Sequence, residues 1–250
     1  MKILYLAFLD ARPDTQQFLR KVSYQCDAFQ SADPEFSCYV IGDKAGDCTV
    51  SRYSFEFVDL SAFVFVDRSH AKDVRVRIAE TIIEKTDPDI VYMRYPWADK
   101  SVLRLVTRFN NIVFEHQTKE LPELRFIRSD LRQNETIYGR KVMQNVCASV
   151  CVTPEILTYE KRRGGRGHRG LVNPNGIAVE HMPLRKKAGQ GDAITIICVA
   201  DFNRWHGYDR LLKGLALYKG KTAVHVHMVG SGPETERYKT IVKTYGLDAN

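Results

Sequence analysis

No apolar run in this sequence reaches the ~18–20 residues that a membrane-crossing helix needs, so no helical span is expected. The short apolar start, Met1-Lys2-Ile3-Leu4-Tyr5-Leu6-Ala7-Phe8-Leu9, runs into Asp10-Ala11-Arg12-Pro13-Asp14 and lacks the small-residue cleavage site of a secretory signal. It reads instead as a first buried strand. Cysteine is scarce and scattered: among Cys26, Cys38, Cys48, Cys147, Cys151 and Cys198 only Cys147 and Cys151 lie close, and one Cys-x-x-x-Cys is a poor zinc signature. These read as reduced thiols of a cytoplasmic chain. No RNP-type aromatic motif accompanies the Arg-Gly run near residue 165, so nucleic acid is not an expected partner. With 44% hydrophobic and 27% charged residues, the composition excludes a disordered chain, a collagen-like chain and a coiled coil.

What the 250 residues do contain is a moderate basic excess, 37 minus 30 or +7, which suits anionic partners such as nucleotide phosphates or lipid headgroups. They also alternate short apolar runs with helical stretches. Strands are expected at Lys2–Leu9, Ser37–Asp43, within Phe55–Val66, at Ile90–Met93, Asn111–Glu115, Ala148–Thr153 and Gly170–Asn173. Helices are expected between them at Thr15–Gln30, Ala71–Lys85, Lys100–Phe109 and Leu131–Val146, with Pro154 opening another towards Lys161. In Ala71–Lys85 the inward residues are expected to be Val74, Ile78, Ile82 and Ile83, with Lys72, Arg75 and Glu84 outward; Asp87-Pro88-Asp89 stops that helix. Lys161–Gly170 is rich in Arg and Gly and reads as a surface loop. After a polar linker the alternation restarts: strand Ala193–Ala200, helix Gly207–Tyr218, strand Val224–Val229, helix Glu234–Tyr245. This order predicts parallel sheets covered by helices, the second having only two strand–helix units.

Several loops at strand ends are candidate sites, each with a plain structural alternative. Gly230-Ser231-Gly232-Pro233 follows a strand and precedes a helix, an arrangement that binds anions or simply turns the chain. Arg204-Trp205-His206-Gly207 can neutralise phosphate or form an exposed loop pinned by Trp205. His116, in Glu115-His116-Gln117, can orient a sugar or move a proton, or be a surface histidine. Asn175-Gly176 is a turn in which glycine permits a positive φ. His225 and His227 share a strand face but no third ligand is evident, so no metal is expected. Arg125, Arg128, Arg132, Arg140 and Lys141, and separately Arg104 and Arg108, form basic faces that are either solvated or lie on anionic lipid.

Taken in order and spacing, Lys2–Phe8, Asp89–Tyr95, Phe114-Glu115-His116, Val150–Thr153, Val172–Ile177, Val199–Phe202 running to Trp205–Leu212, and Met228–Pro233 resemble the GT-B glycosyltransferases, and within them the glycosyltransferase family 4 group. The resemblance implies an α/β fold of GT-B architecture, two Rossmann-like parallel-sheet domains facing a cleft. Residues 1–175 would be the acceptor-side domain, 176–192 a linker and 193–250 an incomplete donor-side domain. It implies a retaining glycosyltransferase of hexosyltransferase type, moving sugar from a nucleotide-sugar donor to a glycan or lipid-linked acceptor in surface polysaccharide biosynthesis. The location implied is cytoplasmic, peripheral at the inner membrane face, and neither cofactor nor metal is implied. By the resemblance His116 is catalytic; Arg204, His206, Gly207, Gly230 and Gly232 bind the donor; Asn175 and Gly176 mark the interdomain crossing; Arg94 and Glu115 face the acceptor.

The sequence departs from that pattern in three places. Asp10-Ala11-Arg12-Pro13 stands where the family often has a Gly-Gly pair. Asp201 and His206 stand at the usual Arg and Lys positions, and two glutamates eight residues apart would lie beyond Asn250. These departures keep two alternatives open: a non-catalytic acceptor-binding fragment or subunit of a split enzyme, and a nucleotide-sugar epimerase.

Overall fold

The computed structural model describes residues 1–45, 48–127, 129–176 and 193–247. Arg128 and residues 177–192 of the expected linker lie outside them. The chain divides into two compact units, Met1–Val179 and Glu180–Asn250.

The first unit is built on a parallel sheet of β1 (Ile3–Phe8), β2 (Ser37–Gly42), β3 (Glu56–Asp59), β4 (Ile90–Arg94), β5 (Ile112–His116), β6 (Ala148–Cys151) and β7 (Gly170–Val172). Their order is β3-β2-β1-β4-β5-β6-β7, every pairing parallel. The central strands are apolar throughout because both faces are covered. On one face Leu4, Leu6, Val91, Met93, Ile112 and Phe114 pack against α2 (Arg68–Thr86), α3 (Lys100–Arg108) and α5 (Ser129–Asn145). On the other, Tyr5, Ala7, Val40 and Tyr92 pack against Leu19, Val22 and Cys26 of α1 (Gln16–Ala32). Two further helices, α4 (Glu120–Ile127) and α6 (Pro154–Gly164), complete the unit. Local chemistry sets the helix ends. Asp67 and Asp99 accept the His70 and Val102 amides at 2.8 and 2.9 Å. Asp87 adopts a left-handed φ of 43° just before Pro88.

The second unit pairs β8 (Ala193–Val199) in parallel with β9 (Ala223–Val229), with α7 (Tyr208–Leu217) and α8 (Thr235–Thr244). Phe202, Leu212, Tyr238 and Leu247 form its core. Residues on the other sheet face are bare: Ile197 is 65% and Val199 73% exposed. His225 and His227 are exposed, and no metal cluster among the described residues includes them. No helix among the described residues is long and apolar enough to cross a membrane.

The structure corrects four local expectations. In α2 the buried residues are Val76, Ala79, Glu80 and Ile83, while Val74, Ile78 and Ile82 are half-buried. Small Ala79 lets the helix close on the sheet, and Glu80 is buried because Arg104 of α3 meets it at 3.0 Å. Lys72 and Arg75 are not outward: they pair with Asp99 at 3.1 Å and with Asp10 at 2.6 Å. Arg104 and Arg108 are likewise no free basic face, since they bond Asp73, Glu80 and Glu84 of α2. Finally, α4 was not anticipated, and α6 carries on through Gly164 into the supposed Lys161–Gly170 loop.

Candidate functional site

The chain leaves β1 towards β2 on one side and β4 leads towards β5 on the other, so the strand order reverses between β1 and β4. In open parallel sheets the crevice at the carboxyl end of such a pair is where ligands bind. Arg94 ends β4, and Glu115 and His116 end β5, with Arg94 and Glu115 opposite one another in register. α1 adds Lys21 and Gln25, and the segment after β7 adds Asn175. The Lys21 ammonium donates to Gln117 Oε1 at 2.5 Å and to Asn175 Oδ1 at 2.6 Å. Burial holds its pKa below the ordinary lysine range. Glu115 accepts from Gln25 Nε2 at 2.7 Å and from the Tyr5 hydroxyl at 3.4 Å. The Arg94 guanidinium lies 5.4 Å from the centre of the Phe18 ring. Its Nη1 and the Gln117 Nε2 are buried and have no hydrogen-bond partner among the described residues. Leaving such a donor unmet costs about 1–3 kcal/mol.

Behind this edge lies a buried polar cluster. The His116 ring is 0% exposed, 4.6 Å from the Tyr95 ring, and its Nδ1 bonds Glu120 Oε1 at 2.8 Å. Arg163 Nη1 lies 2.8 Å from Glu120 Oε2 and 3.1 Å from both Glu160 oxygens, and Nη2 pairs with Glu135. Glu135 also accepts from the Tyr95 hydroxyl at 2.9 Å and the Ala98 amide at 2.5 Å. Burial pushes Glu120 up to about 7 and Glu160 up to about 8, and the two carboxyl groups hydrogen-bond each other, so they hold protons near neutrality. Burial also lowers His116 to about 4 and keeps it neutral. For Arg163 burial acts downward, but Tyr95 and the three carboxylates outweigh it and raise its pKa.

His116, Glu120 and Glu160 bring three ligand atoms within 4.8 Å of one another. The Arg163 guanidinium already fills the cationic position against both carboxylates, and a divalent ion would sit beside a like charge. The cluster thus ties β5, α4, α5 and α6 together through their own charges. It also places His116 away from the surface: only its Nε2, buried and unpartnered among the described residues, is available to a ligand.

In the second unit the loops after β8 and β9 bond each other. The Phe202 amide donates to the Ser231 carbonyl at 2.7 Å, and the Glu234 amide to the Phe202 carbonyl at 3.0 Å. Gly230 and Gly232 have φ of 146° and 157°. A Cβ on Gly232 would come 2.7 Å from Phe202 N, and one on Gly230 would run into the Ala200 carbonyl. The glycines are required by this backbone-on-backbone contact, a tighter reason than open access to a ligand. Gly207, at φ 69°, joins the short turn Arg204–His206 to α7. Arg204, Trp205 and His206 are exposed, and the His206 ring lies 5.9 Å from Trp205 and 6.0 Å from Tyr208.

The structure therefore brings Arg94, Glu115 and Asn175 together with Lys21, Gln25 and Gln117 at one sheet edge of the first unit. It brings Arg204, His206, Gly207, Gly230 and Gly232 onto two joined loops of the second. Gly176 is exposed and not at positive φ, so the conformational reason expected for it does not apply. Sequence reasoning missed Lys21, Gln117, Glu120, Glu135, Glu160 and Arg163. The one available signal was the four-residue spacing of His116 and Glu120, obscured by Pro122, which α4 tolerates in its first turn.

No protein-family model matches the sequence, and a search of curated proteins returns no match. Solved structures do match. The apo form of the lipopolysaccharide outer core galactosyltransferase WaaB aligns with 100% of this chain at a TM-score of 0.64 and 14% identity, the chain covering 66% of it. Sucrose-phosphate synthase from Thermosynechococcus elongatus aligns with 100% at a TM-score of 0.66 and 14% identity, with 69% of it covered. Anabaena HepE in complex with UDP-glucose aligns with 99% at a TM-score of 0.63 and 15% identity, with 67% of it covered. The chain spans about two thirds of the length of these proteins and has the fold of GT-B glycosyltransferases.

Proposed function

We propose that this chain is the acceptor-side unit and part of the donor-side unit of a nucleotide-sugar-dependent glycosyltransferase. One observation carries the reading. Each unit gathers its cationic and glycine-bearing loops at the carboxyl ends of parallel strands, on a fold whose likeness to a galactosyltransferase and to a UDP-glucose complex runs along the whole chain.

In this reading the donor diphosphate meets Arg204, His206 and the Gly230–Gly232 turn. As the sugar–phosphate bond breaks, negative charge grows on the β-phosphate. Cationic side chains and the amino ends of α7 and α8 lower the barrier by meeting it there. His206 stabilises that charge fully only when protonated. Arg94 and Glu115 hold the acceptor, Asn175 and Gly176 mark the crossing between units, and His116 takes part through Nε2 once the side chains covering it part.

The finer reading is a retaining hexosyl transfer to a glycan or lipid-linked acceptor in surface polysaccharide biosynthesis, at the cytoplasmic face of a membrane. What supports the membrane part is α5, where Arg132, Arg140 and Lys141 are exposed and enter no ion pair among the described residues. Calorimetric titration with a panel of nucleoside diphosphates and their sugars tests the proposal. Saturable binding of one nucleotide series, weakened about tenfold or more in Arg204→Ala and His206→Ala (one lost phosphate contact, ~1.4 kcal/mol), is expected. A folded protein that binds none of the panel contradicts it.

A further inference from the structure

The carboxyl edge of the first unit holds two half-buried cations, Lys21 and Arg94, and among the described residues no carboxylate forms an ion pair with either. Buried charges are normally paired. Glu115, the acid nearest in the fold, is already held by Gln25 Nε2 at 2.7 Å and the Tyr5 hydroxyl at 3.4 Å, and no ion pair among the described residues joins it to Lys21 or Arg94. Lys21 rests on two neutral oxygens, Gln117 Oε1 and Asn175 Oδ1; Glu115 favours its charge from nearby without forming an ion pair, and burial outweighs that help. Arg94 is half-buried, its guanidinium 5.4 Å from the centre of the Phe18 ring, and its Nη1 is buried without a partner among the described residues. Gln117 Nε2, on the same side chain that holds Lys21, is a second buried donor without one. Two cations without an ion pair and two unmet N–H donors, all among the described residues, converge at the switch point of the sheet.

The geometry points to an oxyanion site here, in which Arg94 and Lys21, helped by Gln117 Nε2, hold a phosphate group of the acceptor. The inference rests on the acceptor-side reading of Arg94 and goes beyond it by naming the acceptor's chemistry: a phosphorylated sugar or lipid rather than a neutral glycan. A planar guanidinium offers a fork of donors to two phosphate oxygens, the ammonium a compact charge to a third. Neither could discriminate in this way for a neutral hydroxyl. The donor's own diphosphate has the same chemistry, so the two sources must be separated by experiment.

Inorganic phosphate and pyrophosphate, titrated at constant ionic strength into the 250-residue protein and read by calorimetry, are the probes. Saturable binding is expected. It should weaken at least tenfold in both Arg94→Met and Lys21→Gln, and less in Arg94→Lys, which keeps the charge. Lys21 is half-buried on α1, away from the strand that carries Arg94, so Lys21→Gln guards against a result caused by misfolding of the Arg94 variant. Phosphate should still bind protein saturated with UDP or another nucleoside diphosphate. Absence of binding to the wild-type protein, or equal affinity in the Arg94→Met and Lys21→Gln variants, overturns the inference. Displacement by nucleoside diphosphate also overturns it, because the site then belongs to the donor. If no nucleoside diphosphate binds, the glycosyltransferase reading fails, while the phosphate titration still decides the anion site.

Discussion

Arg163 Nη1 stands 3.1 Å from both oxygens of Glu160, three residues earlier on the same helix, and the same nitrogen reaches Glu120 at 2.8 Å. One guanidinium thus serves three buried carboxyl groups contributed by three helices. Replacing it with Met leaves Glu120, Glu135 and Glu160 without their cation. Breaking a buried pair in this way costs about 3–5 kcal/mol. Urea denaturation of Arg163→Met should show a loss of that order; a loss below about 1 kcal/mol, the level of an exposed pair, would count against the cluster as drawn.

The same cluster fixes a pH dependence. Glu120 and Glu160 titrate at about 7 and about 8 in the folded protein, raised chiefly by burial, against about 4.3 in the unfolded chain. Between those values the folded protein binds more protons, so stability falls as pH rises through that window. His116, lowered to about 4, and His168, also lowered by burial, work in the opposite direction, until about one unit above 6.5 the unfolded histidines have given up their protons. From about pH 7.5 to 8.5 the glutamates lead, and the melting temperature should decline. Glu160→Gln, which needs no proton to stay neutral, should flatten that decline and melt higher than the wild type at pH 8.5. An unchanged slope in Glu160→Gln would show that another group titrates.

Gly232 has a φ of 157°, and a Cβ there would come 2.7 Å from Phe202 N and 2.8 Å from its carbonyl oxygen. Gly232→Ala should strain the turn by about 1–3 kcal/mol and part the two loops of the second unit. Limited proteolysis should then cut first within residues 193–247, with the first unit surviving. Equal protease resistance of wild type and variant would refute the close contact.

The basic faces differ in what they have left to offer. Arg104 and Arg108 are spent on Asp73, Glu80 and Glu84, whereas Arg132, Arg140 and Lys141 are exposed on α5 and enter no ion pair among the described residues. With roughly 1 kcal/mol per basic residue at an anionic surface, changing the three α5 residues to Ser should weaken binding to phosphatidylglycerol vesicles by about two orders of magnitude. Arg104→Ala with Arg108→Ala should leave it nearly unchanged. The reverse pattern would move the membrane face to α3.

The parallel sheet was legible because its strands are continuous apolar runs, such as Ile3–Phe8 and Ile90–Met93, and its breaks carry their own chemistry, as at Asp87-Pro88. The strand-end turn of the second unit was legible because Gly230 and Gly232 punctuate it. The buried cluster was not. Glu80, Glu120, Glu160 and Arg163 look like surface residues one at a time, and only long-range pairing makes their burial tolerable. Arg163 was concealed further by its Arg-Gly neighbours, of which Arg166, Gly167 and Arg169 are indeed exposed. The anion site escaped for a similar reason: Lys21, Arg94 and Asn175 come from three distant stretches, and nothing local relates them.

Hydrogen exchange read by mass spectrometry, with and without a saturating nucleoside diphosphate, tests the glycosyltransferase account most directly. The account predicts slowed exchange in residues 202–210 and 230–236, the two joined loops and the helix starts that follow them, with His206→Ala losing the effect. If no nucleoside diphosphate slows exchange in either segment, or if protection falls only within the first unit, the assignment of the donor to the second unit is contradicted.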